Sequence, residues 1–142
     1  MEMNNYNGYC GRFLRVDMTS GGLKEERLKD LFDEPTQKKL LGGANFGLKI
    51  IYDELPPGID PYDPENRLVF ATGPITGTGA ICSGPYSVVT KGPLTNLAAV
   101  STSNGFFGAR LKFAGYDGII LQGAAQDWQY LVLHDGVAEL KD

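Results

Sequence analysis

Apolar and polar positions divide the chain into short segments of changing period. Gly11-Arg12-Phe13-Leu14-Arg15-Val16-Asp17-Met18 alternates polar and apolar side chains, which predicts a half-buried strand. Thr19-Ser20-Gly21-Gly22 reads as a turn and Leu23 to Leu28 as the partner strand, so residues 11–28 form a hairpin with a loop longer than the tight two-residue type. Residues 29–41 are charged and helix-compatible, with Pro35 tolerated in the first turn of a helix that runs to Leu41 and stops at Gly42-Gly43. A second helix is predicted from Asn45 to Leu55, where Leu48, Ile51, Tyr52 and Leu55 fall at i, i+3, i+4 and i+7 and make one apolar stripe. The proline-rich stretch 56–66 (PPGIDPYDPEN) is an ordered surface loop.

Strand signals return at 68–72 and 86–90, separated by the glycine-rich segment 73–85 (GPITGTGAICSGP). Leu97 to Ser101 reads as a further strand, Ser103-Asn104-Gly105 as a turn, and Phe106 to Ala114 as a helix whose apolar face includes Phe106, Phe107, Ala109, Leu111, Phe113 and Ala114. Short strands at 118–122, 129–134 and 137–140 complete the chain, the last two joined by Asp135-Gly136, a type I′ hairpin signal. With about seven strands to about three short helices, and with consecutive strands often linked as hairpins, the pattern predicts a strand-rich α+β fold with mainly antiparallel sheets.

Length and charge narrow the functional classes. The 142 residues fit a single domain spanning 1–142. Thirteen Lys and Arg against 17 Asp and Glu give a net charge of −4, and no basic cluster exceeds Lys38-Lys39, which excludes the electrostatic footprint of a nucleic-acid binder. The polar start, Met1 to Asn7, lacks the pattern of a signal peptide, and no apolar run is long enough for a membrane span, so a cytoplasmic location is expected. Cys10, Cys82 and His134 cannot by themselves build a four-ligand zinc or iron–sulfur site. Without CxxC spacing the two thiols read as isolated and packed, and His134 as the tip of an exposed hairpin. Asp53, Glu54, Asp60, Asp63 and Glu65 lack calcium-loop spacing and read as a solvated acidic loop. Glycine is abundant, 19 residues, and is densest in 73–84. There, backbone N–H groups and the hydroxyls of Thr76, Thr78 and Ser83 suit either a phosphate cradle or a purely structural loop, but the segment matches neither the Walker nor the dinucleotide pattern. Phe106, Phe107 and Phe113 read as core.

Several stretches taken in order resemble the N-terminal domain of the tungsten-dependent aldehyde ferredoxin oxidoreductase family. They are Gly11-Arg12-Phe13-Leu14-Arg15-Val16-Asp17, Pro64-Glu65-Asn66-Arg67-Leu68, Gly73-Pro74-Ile75-Thr76-Gly77-Thr78, Tyr86-Ser87-Val88-Val89-Thr90-Lys91, and the run from Phe107 to Asp117 (FGARLKFAGYD). The resemblance covers residues 8–142 and implies a strand-rich α+β base on which a tungsten (or molybdenum) bis-pterin lies. It further implies an enzyme that oxidises aldehydes to carboxylic acids and passes electrons through a [4Fe–4S] cluster to ferredoxin, with the cluster motif and proton-transfer residues in later domains. It therefore implies no catalytic residue and no metal ligand in these residues, an isolated chain that does not turn over aldehyde, and association with a larger cofactor-bearing chain or with itself.

The resemblance also places Thr102, Ser103, Asn104 and Gly105 at the pterin, with loops 73–85 and 102–106 as its cradle. Three stretches depart from the family pattern. Pro85 stands where the family commonly has an arginine that reaches the cofactor; Thr102 and Asn104 replace an asparagine and a glycine; and Gly43-Ala44-Asn45-Phe46 replaces a Gly-Arg-Gly-Leu motif. These departures keep a second expectation open, a non-catalytic assembly module that retained the fold and lost the cofactor contacts.

Overall fold

The computed structural model describes residues 8–142; the polar start, Met1 to Asn7, lies outside them. The chain runs β1 (Arg12–Asp17), β2 (Gly22–Arg27), α1 (Leu28–Leu31), α2 (Glu34–Leu40), α3 (Ala44–Glu54), β3 (Leu68–Thr72), β4 (Tyr86–Lys91), β5 (Ala98–Ser103), α4 (Phe106–Phe113), β6 (Gly118–Gln122), β7 (Tyr130–His134) and β8 (Val137–Lys141). Six strands form one sheet in the order β2-β1-β6-β3-β4-β5, and β7-β8 form a separate hairpin. Every pairing is antiparallel except β1 with β6, where Phe13 lies opposite Gly118 and Asp17 opposite Gln122. The strand-rich, mainly antiparallel α+β fold is as expected from the sequence, with one helix more than anticipated. Among the described residues no helix is long and apolar enough to cross a membrane.

That extra helix arises at Asp33. Its carboxylate accepts a hydrogen bond from Thr36 N, with Pro35 in the first turn, so α2 starts afresh instead of continuing α1. β1 is covered on both faces: adjacent Phe13 and Leu14 are both buried, and because strand side chains alternate they enter different cores. One core joins Phe13, Phe46, Ile50, Val69, Val89 and Ile120 under α1–α3. The other joins Leu14, Val16, Leu111, Tyr116 and Ile119 under α4, with Leu131, Leu133, Ala138 and Leu140 of the β7–β8 hairpin packed over it. The sheet is thus the middle of three layers.

Two helix faces differ from the sequence expectation. α3 presents Phe46, Gly47, Ile50 and Ile51 to the sheet, so of the predicted stripe Leu48-Ile51-Tyr52-Leu55 only Ile51 is buried there. Gly47 decides this. An added Cβ would lie 2.5 Å from Val89 Cγ2, so the helix comes closest to β4 on the side with no side chain. Tyr52 is exposed, and Leu48 and Leu55 flank the core, where they line a groove with Leu97 and Ala98. On α4 the buried positions are the small or central ones, Gly108 and Leu111. Phe106 and Phe113 are exposed, so they are not core, and Phe107 is partly exposed, its ring 4.6 Å from Tyr86 and 5.8 Å from Phe70. A helix this short turns only one side inward, and at Gly108 it comes close to the glycine-rich loop: its Cβ would meet Gly84 O and Thr76 Cγ2, each at 3.0 Å.

Candidate functional site

The glycine-rich segment starts where β3 ends. Buried Thr72 directs both its N–H and its hydroxyl to Asp117 O, at 2.9 and 2.7 Å, which fixes the exit of the chain into the loop. Thr76 Oγ1 then accepts from Gly73 N at 3.1 Å and donates to Pro85 O at 3.0 Å, closing the two ends of the segment on each other. Thr78 donates to Ile75 O, and Ser83 donates to Thr78 O. The three hydroxyls considered as phosphate donors are therefore engaged within the loop, and their first role is to hold its shape.

Gly84 brings the second loop into contact with the first. Its Cβ would lie 2.4 Å from Asn104 Oδ1 and 2.7 Å from Gly105 O, a space that only glycine leaves open. Asn104 Oδ1 in turn accepts from Gly105 N at 2.8 Å. Thr102 and Ser103 close β5 opposite Ser87 and Tyr86, so they point to opposite faces of the sheet; Thr102 Oγ1 lies 3.4 Å from Ser87 Oγ. Gly105, at φ +120°, leads into α4 with open space where a side chain would sit, and no side chain caps that helix. Its first-turn N–H groups lack intrahelical partners, the arrangement that favours an anionic oxygen at a helix N-terminus. The four residues suggested by the resemblance thus share one loop, with donors at its rim.

A cleft of about 280 Å³ lies against the glycine-rich segment, lined among others by Leu41, Gly42, Gly73, Ile75, Cys82 and Pro85 but by none of residues 102–105. The sequence reading treated Gly42-Gly43 mainly as a helix stop. Here the pair forms one wall. Gly43 N donates to Thr72 O at 2.9 Å, and a Cβ on Gly42 would lie 2.7 Å from the same oxygen, with φ at +136°. The signal was two adjacent glycines, one more than a helix stop requires. No Lys or Arg side chain lines the cleft.

Behind the cleft the segment 8–11 is held by charge. Asp117 is fully buried; its carboxylate accepts from Cys10 N at 2.9 Å, Gly11 N at 2.6 Å and Lys112 Nζ at 2.6 Å. Lys112 also donates to Gly8 O at 2.7 Å. The Cys10 thiol is pushed up from its usual range, first by burial and then by the Asp117 carboxylate, against the pull of Lys112 and Arg12. Both thiols are free and both residues are exposed, so they are isolated as expected but not packed. His134 sits exposed beside Asp135. Asp60 and Asp63 cap their own loop by accepting from Tyr62 N and Glu65 N. Glu54 departs from the solvated reading: it is held by Arg15 at 2.7 Å and Arg67 at 2.9 Å, and although burial works to raise its pKa, these two guanidiniums outweigh it and hold it below the usual range. Among the described residues no group of three or more His, Cys, Asp or Glu is placed to hold a metal ion.

Residues 13–142 match the family described as aldehyde ferredoxin oxidoreductase, N-terminal domain. The chain belongs to this family. A tungsten-containing aldehyde ferredoxin oxidoreductase of Pyrococcus abyssi is 49% identical over 135 residues, which is 95% of this chain and 22% of that protein. The WOR-like subunit of an aliphatic sulfonate oxidoreductase of Pyrococcus furiosus is 37% identical over 137 residues, covering 94% of this chain and 21% of its own length. Among solved structures, the active-site complex BamBC of benzoyl coenzyme A reductase with 1,5-dienoyl-CoA contains a chain that is 35% identical with a TM-score of 0.89, covering 96% of this chain and 20% of that one. This aldehyde ferredoxin oxidoreductase N-terminal domain spans about a fifth of the length of the relatives it matches.

Proposed function

We propose that this domain forms the wall on which a tungsten (or molybdenum) pterin cofactor rests in an aldehyde-oxidising enzyme. The observation that carries the reading is the junction of the two glycine loops at Gly84 and Asn104, which sets the uncapped N-terminus of α4 beside an open position at Gly105. The residues present fit the polar edge of such a group. Of Thr102, Ser103, Asn104 and Gly105, the turn residues Asn104 and Gly105 would hold it together with one of the two hydroxyls of Thr102 and Ser103, which face opposite sides of the sheet, and the α4 N-terminus would take its phosphate. When bound, the cofactor supplies the two-electron oxidation of aldehyde to carboxylic acid. The domain's part is to position it, and positive charge for the phosphate comes from elsewhere, because the adjoining cleft has no basic side chain. The remaining four-fifths of a relative's length supplies the substrate pocket, the iron–sulfur cluster and the ferredoxin contact in a cytoplasmic enzyme. The domain alone does not oxidise aldehyde, and it works against a larger cofactor-bearing chain.

A second reading, a non-catalytic assembly module of the same fold, is favoured by Pro85, which offers neither charge nor N–H at the cleft, and by the exposed apolar side chains Ile81, Phe106 and Phe113. Native mass spectrometry of the anaerobically purified chain separates the two. A retained metal–pterin mass supports the cradle and sinks the assembly reading. A bare monomer or homodimer, unchanged when molybdopterin is added, refutes cofactor holding by this domain.

A further inference from the structure

The cleft is bounded by two backbone segments from different layers, the Gly42-Gly43 turn and the start of the glycine-rich loop. Gly43 N joins them directly through Thr72 O, and the strap at residues 8–11 adds a second link. Gly8 packs on the carbonyl of Pro74, where a Cβ would lie 2.3 Å away, and the neighbouring Tyr9 donates its hydroxyl to Leu41 O at 2.6 Å. Leu41 holds φ +64°, a conformation that a bulky non-glycine residue keeps only where its surroundings impose it. The strap therefore touches both walls, one through Gly8 and the other through Tyr9.

Two charged side chains in turn hold the strap. Asp117 binds the N–H groups of Cys10 and Gly11 through its two carboxylate oxygens, and Lys112 binds Gly8 O and Asp117 together. The pair is more than nine-tenths buried, with Lys112 at 8% and Asp117 at 0% side-chain exposure. Asp117 also reaches the cleft from beneath, since its own carbonyl accepts both hydrogen bonds of Thr72, and Thr72 O is the acceptor for Gly43 N. The side-chain pair reaches the cleft through the strap, and the backbone carbonyl of the same Asp117 reaches it through β3. A buried ion pair is weak evidence for stability, because desolvation cancels much of the attraction, so its placement calls for a reason other than stability.

We propose that Lys112 and Asp117 are positioning residues for the cleft: through the strap 8–11 their side chains fix the distance between Gly42-Gly43 and Gly73-Pro74, and so the shape of the glycine wall that belongs to the proposed pterin cradle. The identity of the ligand rests on the function proposed above; the positioning does not, and it is tested on the ligand-free chain.

Lys112→Met keeps the aliphatic stem and removes both contacts of the ammonium; Tyr9→Phe removes only the bond to Leu41 O. Hydrogen exchange read by mass spectrometry is followed at 8–11, 41–43 and 73–77 and compared with β1, β3 and β6. Because local opening is measured separately from global unfolding, a structural role and a positioning role give different patterns. Lys112→Met is expected to speed exchange about tenfold in all three segments while the sheet strands stay as protected as before. Tyr9→Phe is expected to loosen 41–43 alone. Ile50→Val, which weakens the core under α3 without touching the strap, is the control and is expected to leave the three segments unchanged relative to the strands. Uniform loss of protection in Lys112→Met, or an unchanged pattern, overturns the proposal. So does the same local pattern in the control. A failure here leaves the pterin reading standing, and a failure of pterin binding leaves this one standing.

Discussion

Gly47 offers a prediction in which helix propensity and packing have opposite signs. It lies inside α3, and on propensity alone Gly47→Ala stabilises an exposed helix by about 1 kcal/mol. The new Cβ would stand 2.5 Å from Val89 Cγ2 and 2.7 Å from Val89 Cβ. Ordinary carbon contacts are about 3.5–4.0 Å, so α3 must back off by roughly 1 Å or Val89 must leave its rotamer. Overpacking of this kind costs about 1–3 kcal/mol, and the withdrawal also thins the contacts of Phe46 and Ile50. Overpacking less the propensity gain leaves a loss of about 0–2 kcal/mol, to which the thinned contacts of Phe46 and Ile50 add, so the net is a loss and a fall in Tm of up to roughly 8 °C for a chain of this size. Thermal unfolding followed by circular dichroism checks it. Val89→Ala removes the Cγ2 clash but not the Cβ contact, so in that background Gly47→Ala costs less without becoming neutral. An unchanged or higher Tm for the single variant would refute the account of how α3 sits on the sheet.

Other expectations follow from the same coordinates. Glu54→Gln leaves the Arg67 guanidinium without its counter-charge and takes one of two carboxylates from Arg15, which keeps Glu26 at 3.0 Å, and it lowers stability by about 1–3 kcal/mol at pH 7, measured by urea unfolding. Because the folded-state pKa of Glu54 lies below its unfolded value, its contribution is present above that unfolded value and is lost as pH falls through the folded one, so the difference between wild type and variant closes below about pH 4; a difference that widens in acid contradicts the ion-pair account. Gly84→Ala drives a Cβ into Asn104 Oδ1 and Gly105 O and is expected to separate the two loops, seen as faster amide exchange at 102–106, with the strands unaffected. In a Cys82→Ser background, iodoacetamide labelling of Cys10 is expected to keep accelerating beyond about pH 8.5, the ordinary thiol midpoint, because burial and Asp117 disfavour its thiolate. A plateau below that pH would contradict it.

The elements themselves were largely legible in the sequence because the strands are short, alternate clearly and are punctuated by Gly, Pro and Asp-Gly. Which side of a helix is buried was not. α3 carries enough apolar residues for two stripes, and the choice is made by Gly47, a residue that hydrophobic periodicity ignores, against Val89 on a strand some forty positions away. The same holds for α4, where Gly108 sets the close approach to the glycine-rich loop while only Phe107 of the three phenylalanines meets sheet residues, Phe70 and Tyr86. The candidate loop 102–105 was reached through the family resemblance, and its contact with 73–85 rests on Gly84, which reads in isolation as a turn residue. Glu54 was misplaced in a solvated run because its partners, Arg15 and Arg67, come from a strand and a loop that only the fold brings together. The Lys112–Asp117 pair was visible as part of FGARLKFAGYD, but nothing in that run indicates that Asp117 binds the backbone of Cys10 and Gly11.

The single parallel pairing, β1 with β6, governs the order in which the protein can be assembled during synthesis. β6 lies between the N-terminal hairpin and the β3–β4–β5 meander and is their link within the sheet. Its partner Phe13 emerges about a hundred residues before Gly118, an interval of roughly 5–20 s at ribosomal rates. Throughout that interval β1 and β3 each keep an unpaired, apolar edge, the kind of surface that recruits other strands. Closure of so long a loop is slow and comes late, so the nascent chain holds two sticky half-sheets until residues 118–122 appear. Chaperone demand and aggregation during expression should therefore concentrate in that window, and a nascent chain stalled before Gly118 should be far more prone to aggregate than one stalled after Gln122.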